Sequence, residues 1–131
     1  MVRTLEFSIG NKDYHLTAWA AICGLDVVLV VGGGTRPHIG SVAVAISHAS
    51  LKDPNKLTAS ASVIAVPGHK EDQLAREAAL KLSRMLKTTV AVSVGLHVDN
   101  ATPQEIELLV NNFNQLVDQV ATELASIISL G

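Results

Sequence analysis

Residues 59–97 run ASASVIAVPGHKEDQLAREAALKLSRMLKTTVAVSVGLH. Ala59 to Val66 is a run of small and β-branched residues that suits a strand. Pro67-Gly68 stops it. From about Lys70 to Leu86, the residues Leu74, Ala78, Leu82 and Met85 return at helical spacing, with Ala75, Ala79 and Leu86 beside them. Glu71 and Asp72 open that helix and Arg84 and Lys87 close it, so the charges complement its dipole. Thr88 to His97 is Val-rich and reads as a strand again. A strand, a crossover of about 20 residues and a second strand imply two parallel strands of one sheet, connected right-handedly.

Upstream lie four more strands. Leu5, Phe7 and Ile9 alternate with polar residues, as do Tyr14, Leu16 and Ala18, on either side of a Gly10-Asn11 turn; this predicts a hairpin. Asp26 to Val31 is continuous Val and Leu, which suits a strand buried on both faces. Gly32 to Gly40 is expected to be a loop. Ser41 to Ser47 is β-leaning, and Lys52 to Lys56 is a polar loop. Downstream, Thr102 is an N-cap, Pro103 takes the first helical position and Glu105 completes a capping box. A long apolar stripe follows, from Ile106, Leu109, Val110 and Phe113 to Val117, Val120, Leu124 and Ile127, widened by Leu108 and Leu116. The reading is one domain over residues 1–131, of α+β class. Its mainly antiparallel six-stranded sheet has two helices on one face, in the order βββββαβα. The width of the last helix's stripe suits either a subunit interface or a cover for the sheet.

Composition excludes several functions. A net charge of −2 gives no pull toward nucleic acid or an anionic membrane. Aromatics are 3% of residues, too few for a base-stacking platform. The single cysteine, Cys23, excludes an internal disulfide and a Cys-rich zinc site, and its apolar neighbours suggest a buried thiol. Trp19 is expected to pack on the sheet. Met1 to Asn11 lacks the apolar core of a signal peptide, and Ala18 to Val31 is too short and too interrupted to span a bilayer. A cytoplasmic protein is expected.

If strands three, four and five are consecutive antiparallel neighbours, the third, fifth and sixth end at one edge. Three loops then meet there, and they hold the chain's unusual polar residues. The first, Gly32 to Gly40, carries glycines suited to an anion nest, with Arg36 and His38. It has no Gly-Lys-Ser/Thr and no helix opens after it, so it is neither a Walker loop nor a dinucleotide fingerprint. The second, Gly68 to Asp72, puts His69 and Lys70 at a helix N-terminus, where anions are favoured. In the third, Gly95 to Asn100, His97 and Asp99 are two apart on extended chain and share a face; Asp99 is placed to orient the His97 ring. An anionic small molecule fits this set. A metal on His38, His69 and His97 is the alternative, disfavoured by Arg36 and Lys70 and by the lack of a His-x-His or His-Glu-x-x-His spacing.

Together the three loops (33–43, 67–72 and 95–101) resemble the prenylated-flavin chaperone-like family. That family includes the small D subunit associated with gallate-type decarboxylases, and it is related in fold to proteasome assembly chaperones. The resemblance covers the chain from about Asp26 onward. It implies a homodimer that binds prenylated FMN, or delivers it to a partner decarboxylase, without catalysis of its own. Carried over loop by loop, it implies ligand contacts from Gly33, Gly34, Arg36, His38, His69, Lys70, His97 and Asp99. The chemistry of these groups suits Arg36, Lys70 and the helix N-terminus to a phosphate, and His97 to the polar edge of a flavin. A small metal-dependent enzyme and a ligand-free assembly chaperone remain the other readings.

Overall fold

The computed structural model describes residues 2–67 and 71–130. In chain order the elements are β1 (Val2–Ile9), a 3-10 turn (Lys12–Tyr14), β2 (Leu16–Cys23), β3 (Asp26–Gly34), β4 (Ser41–Ala49), β5 (Leu57–Ala65), α1 (Asp72–Leu86), β6 (Val90–His97) and α2 (Pro103–Leu130). The six strands form one mixed sheet in the order β1-β2-β3-β6-β4-β5. Only the β3–β6 pair is parallel. The α+β class, the strand succession and the largely antiparallel sheet are as read from the sequence.

One neighbour relation is not. β4 does not lie beside β3, because β6 enters between them. Val27, Leu29 and Val31 of β3 and Val90, Val92 and Val94 of β6 are essentially inaccessible to water. Placing the two most Val-rich strands at the middle of the sheet buries the most apolar surface. The directional argument survives the correction. β5 is antiparallel to β4 and β4 to β6, so β3, β5 and β6 all end at one edge.

Both helices cover one face. α1 packs on β4, β5 and β6 and α2 on β1 and β2, and the helices touch each other. The core joins Ala75, Ala79 and Leu82 of α1 with Phe113, Leu116, Val120 and Leu124 of α2 against the inward residues of the strands. Most of the apolar stripe of α2 thus covers the sheet as core, although Ile106 and Leu108 stay exposed. Met85 of α1 is also exposed. α1 is described from Asp72, two residues after the predicted start, and Lys70 itself lies outside the described residues.

Other local readings change too. Tyr14 belongs to a 3-10 turn, so β1 and β2 are joined by residues 10–15 and not by a tight Gly-Asn turn. Cys23 ends β2 on the outer face and is exposed, not buried. β3 is buried on one face only: Val28 and Val30 are each 39% exposed. Finally, Gly32 to Gly34 are not loop. They continue β3, with Gly33 facing Leu16 and Leu96 and Gly34 facing His97. A side chain at Gly33 would stand 2.4 Å from the His15 carbonyl oxygen, and one at Gly34 2.1 Å from that of His97.

The tightest approach is at Gly95 of β6, where a Cβ would lie 1.5 Å from the His38 carbonyl oxygen. Gly95→Ala therefore forces the 35–40 segment off the sheet. It is expected to lower the unfolding free energy by about 1–3 kcal/mol, read as a shifted urea midpoint. An unchanged midpoint would show that this contact yields freely.

Candidate functional site

Insertion of β6 obliges the β3–β4 connection, residues 35–40, to arch over the end of β6. It is pinned at both ends. The Thr35 N–H donates to the His97 carbonyl at 2.7 Å, and the Gly40 N–H to the Val94 carbonyl at 2.9 Å. The Thr35 hydroxyl also donates to the His97 carbonyl, at 3.1 Å. The arch carries Arg36 and His38 onto the last residues of β6.

There Arg36, His97 and Asp99 form a contact triplet. Asp99 Oδ1 lies 2.8 Å from His97 Nε2 and 3.6 Å from an Arg36 guanidinium nitrogen. That same guanidinium nitrogen is 2.9 Å from His97 Nε2. One ring nitrogen cannot donate to Asp99 and accept from Arg36 at once. In one tautomer Nε2–H donates to Asp99 and in the other Nε2 accepts from Arg36, and the attraction between Arg36 and Asp99 is present in both. The bond from His97, then the charge of Arg36, hold the Asp99 carboxyl below its ordinary pKa. The predicted His97–Asp99 pairing is thus present, and Arg36 joins it.

His38 faces a second carboxylate. Its Nε2 is 3.1 Å from Glu71 Oε1, and its Nδ1 is 3.1 Å from the Arg36 carbonyl oxygen. Both ring nitrogens thus face oxygen acceptors. Glu71 caps α1 by position, is buried, and accepts the Leu96 N–H at 3.3 Å. Its other oxygen has no hydrogen-bond partner among the described residues. The rings of His38 and His97 meet edge to face with centroids 6.3 Å apart. From sequence, Glu71 reads only as a first-turn acid complementing the helix dipole. Nothing local marks its pairing with His38, which depends on the order of the strands.

Two hollows open around His97. A cleft of about 260 Å³ is lined by Arg36, His38, Ile39 and His97. Beside it, a larger, mostly apolar cavity of about 580 Å³ lies between the first turns of α1 and α2. The α2 side is fixed by the predicted capping box: the Thr102 N–H donates to Glu105 Oε1 at 3.1 Å, and the Glu105 N–H to Thr102 Oγ1 at 3.2 Å. Tyr14 O–H donates to the other Glu105 oxygen at 2.8 Å. The Thr102 N–H foremost, with these bonds, holds the Glu105 carboxyl below its ordinary pKa; the Glu105 carboxylate in turn holds the Tyr14 phenol above its own.

The structure thus gathers Arg36, His38, His97 and Asp99. Gly33 and Gly34 line a different hollow of about 260 Å³, with His15, Thr17, Trp19, Val30 and Pro37. The Gly34 N–H is already donated to the His15 carbonyl at 3.1 Å. Trp19 stands on the uncovered face of the sheet, 44% exposed. His69 and Lys70 lie outside the described residues. Among the described residues no three His, Cys, Asp or Glu side chains are grouped to hold a metal, and no helix is long and apolar enough to cross a membrane.

The fold recurs among solved structures. A yeast 20S proteasome assembly chaperone complex contains a chain of similar fold, with a TM-score of 0.60 and 19% identity over 94% of this chain and 98% of that one. Protein LpdD of Lactiplantibacillus plantarum is 26% identical over 100 residues, which is 76% of this chain and 70% of that protein. The family model of the prenylated flavin chaperone LpdD-like domain matches residues 10–125, nearly the whole chain and every element of the site. By that match, the chain belongs to the prenylated flavin chaperone LpdD-like family.

Proposed function

We propose that this chain binds prenylated FMN at the strand ends around His97 and hands it to a partner decarboxylase in the cytoplasm, without catalysing a reaction itself. The observation that carries this reading is the junction of two unlike hollows at one side chain: a basic cleft with Arg36 and His38, and an apolar cavity, both lined by His97. A flavin mononucleotide has matching parts, an anionic phosphate and a flat ring system. Arg36 has guanidinium N–H groups beyond the nitrogen beside Asp99, and its fork suits a phosphate. Lys70 joins the proposed phosphate contacts by family resemblance. His97, oriented by Asp99, is suited to the polar rim of the ring. Gly33, Gly34 and His69 belong to the proposed contacts by family resemblance. No nucleophile in the gathered set carries the geometry of a covalent mechanism, which favours an accessory role.

The chain is further proposed to act as a homodimer, joined through the sheet face that the helices leave open. Trp19, Val28, Val30, Val44, Ile46 and Ile64 are exposed on that face. A solvated antiparallel face is normally polar, whereas the middle strands here show no charged outward residue between Val28 and Gly32 or between Val42 and Ile46. With strands about 4.8 Å apart and a rise of about 3.3 Å per residue, the face measures roughly 600–700 Å² per copy. That approaches the about 800 Å² per partner of a standard stable interface. The uncharged middles of two such faces meet without repulsion, with Glu6 of β1 and Asp26 at the start of β3 standing toward the margins, and stacking would bury β3 on both sides, as its sequence suggests.

Two results are expected. Arg36→Ala and Lys70→Ala each weaken FMN-type binding about tenfold, or about 1.4 kcal/mol, measured by fluorescence titration; unchanged affinity in both removes the phosphate role. Val30→Lys, in the middle of the open face, converts a dimer to a monomer by sedimentation equilibrium. A Val30→Lys protein that stays dimeric would move the interface elsewhere.

A further inference from the structure

Among the described residues Glu71 is the only buried carboxylate, 8% exposed. Its Oε1 lies 3.1 Å from His38 Nε2 and accepts the Leu96 N–H at 3.3 Å. Its Oε2 is buried and has no hydrogen-bond partner among the described residues. That oxygen rests against Gly40, where a Cβ would come within 2.4 Å of it. A buried carboxylate oxygen left unpaired costs stability, and an apolar side chain of similar size is commonly at least as stable at such a position. The place of Glu71 in the fold accounts for it. Glu71 is the N-cap position of α1, Leu96 is near the end of β6, and His38 and Gly40 belong to the arch of residues 35–40. One side chain thus ties helix, strand and arch together where the two hollows adjoin: Glu71 lines the larger cavity and His38 lines the cleft. The other acceptor on the His38 ring is the Arg36 carbonyl, 3.1 Å from Nδ1. An acceptor at each nitrogen sets the tilt and the reach of the ring, and a binding side chain works best when such contacts lock its rotamer.

We propose that Glu71 is a positioning residue of the ligand site: it makes no contact with the phosphate and acts by holding His38 in the cleft. The inference rests on the flavin-binding reading and adds to it the residue that shapes the phosphate end. The sign of the effect separates positioning from charge. A carboxylate beside the cleft repels an anion, so on charge alone its removal tightens phosphate binding. Removal of a positioning residue weakens it.

The test is a mutant cycle between Glu71 and His38, read as the affinity of the full chain for prenylated FMN under anaerobic conditions. Glu71→Ala is expected to weaken binding about tenfold, within the range of couplings in one contact network. In a His38→Ala background the same change is expected to cost less than about twofold, or to tighten binding. Glu71→Gln keeps an oxygen acceptor in place and is expected to stay within about threefold of the wild type. Gly40→Ala leaves every charge in place, and its methyl displaces the end of the Glu71 side chain; the expected loss is again about tenfold with His38 present and is absent without it. Where Glu71→Ala does not fold, the Gly40→Ala cycle gives the result. A loss that is equal with and without His38 marks a merely structural role and overturns the proposal while leaving flavin binding intact. Unchanged or tighter binding in Glu71→Ala and Gly40→Ala overturns it as well. A wild type that binds no flavin overturns the flavin reading, and this inference with it.

Discussion

The His38 carbonyl sits directly over the α-carbon of Gly95, and the site's geometry follows from that approach. It exists because β6 is inserted between β3 and β4, so the connection between those strands has to cross the end of a third. Burial drives the insertion: the inward Val27, Leu29 and Val31 of β3 and Val90, Val92 and Val94 of β6 are at most 1% exposed. The same arrangement makes β3 and β6 parallel, so their ends coincide and Gly34 stands beside His97. Arg36 and His38 are delivered to His97, Asp99 and Glu71 by sheet topology, not by any local motif.

This explains what was legible in the sequence and what was not. Residues 59–97 were readable because periodicity changes abruptly from strand to helix and back, with Pro67 marking the first change. The start of α2 was readable because a capping box is local, and Thr102 and Glu105 bond as their spacing implies. His97 and Asp99 were readable as a pair for the same reason. The glycines of β3 misled. Three in a row look like a loop, yet here they let the strand continue under close backbone neighbours. Strand order was not legible either, because nothing local distinguishes a neighbour in sequence from a neighbour in the sheet. The role of Glu71 beside His38 is hidden in the sequence for the same reason.

The fold divides its apolar surface between two tasks. The inner face of the sheet is closed by both helices, which explains why the wide stripe of α2 was a poor guide to a subunit contact. The outer face is left with Trp19, Val30 and Ile64 in water, the open surface that the proposed dimer covers. The proposed ligand site sits at neither face but at the edge between helix starts and strand ends. There the backbone changes direction, and polar side chains reach outward without disturbing the core. A carrier benefits from such a location, since a cofactor held at an open edge remains accessible to the protein that receives it.

The proposed role depends on a prenylated flavin being held at this edge. Native mass spectrometry of the chain co-expressed with a flavin prenyltransferase shows whether one is. The expected species is a dimer with one prenylated-FMN mass per protomer. A protein that emerges with zinc or iron and no organic mass would contradict it, as would one that emerges bare and takes up no flavin when prenylated FMN is added in excess.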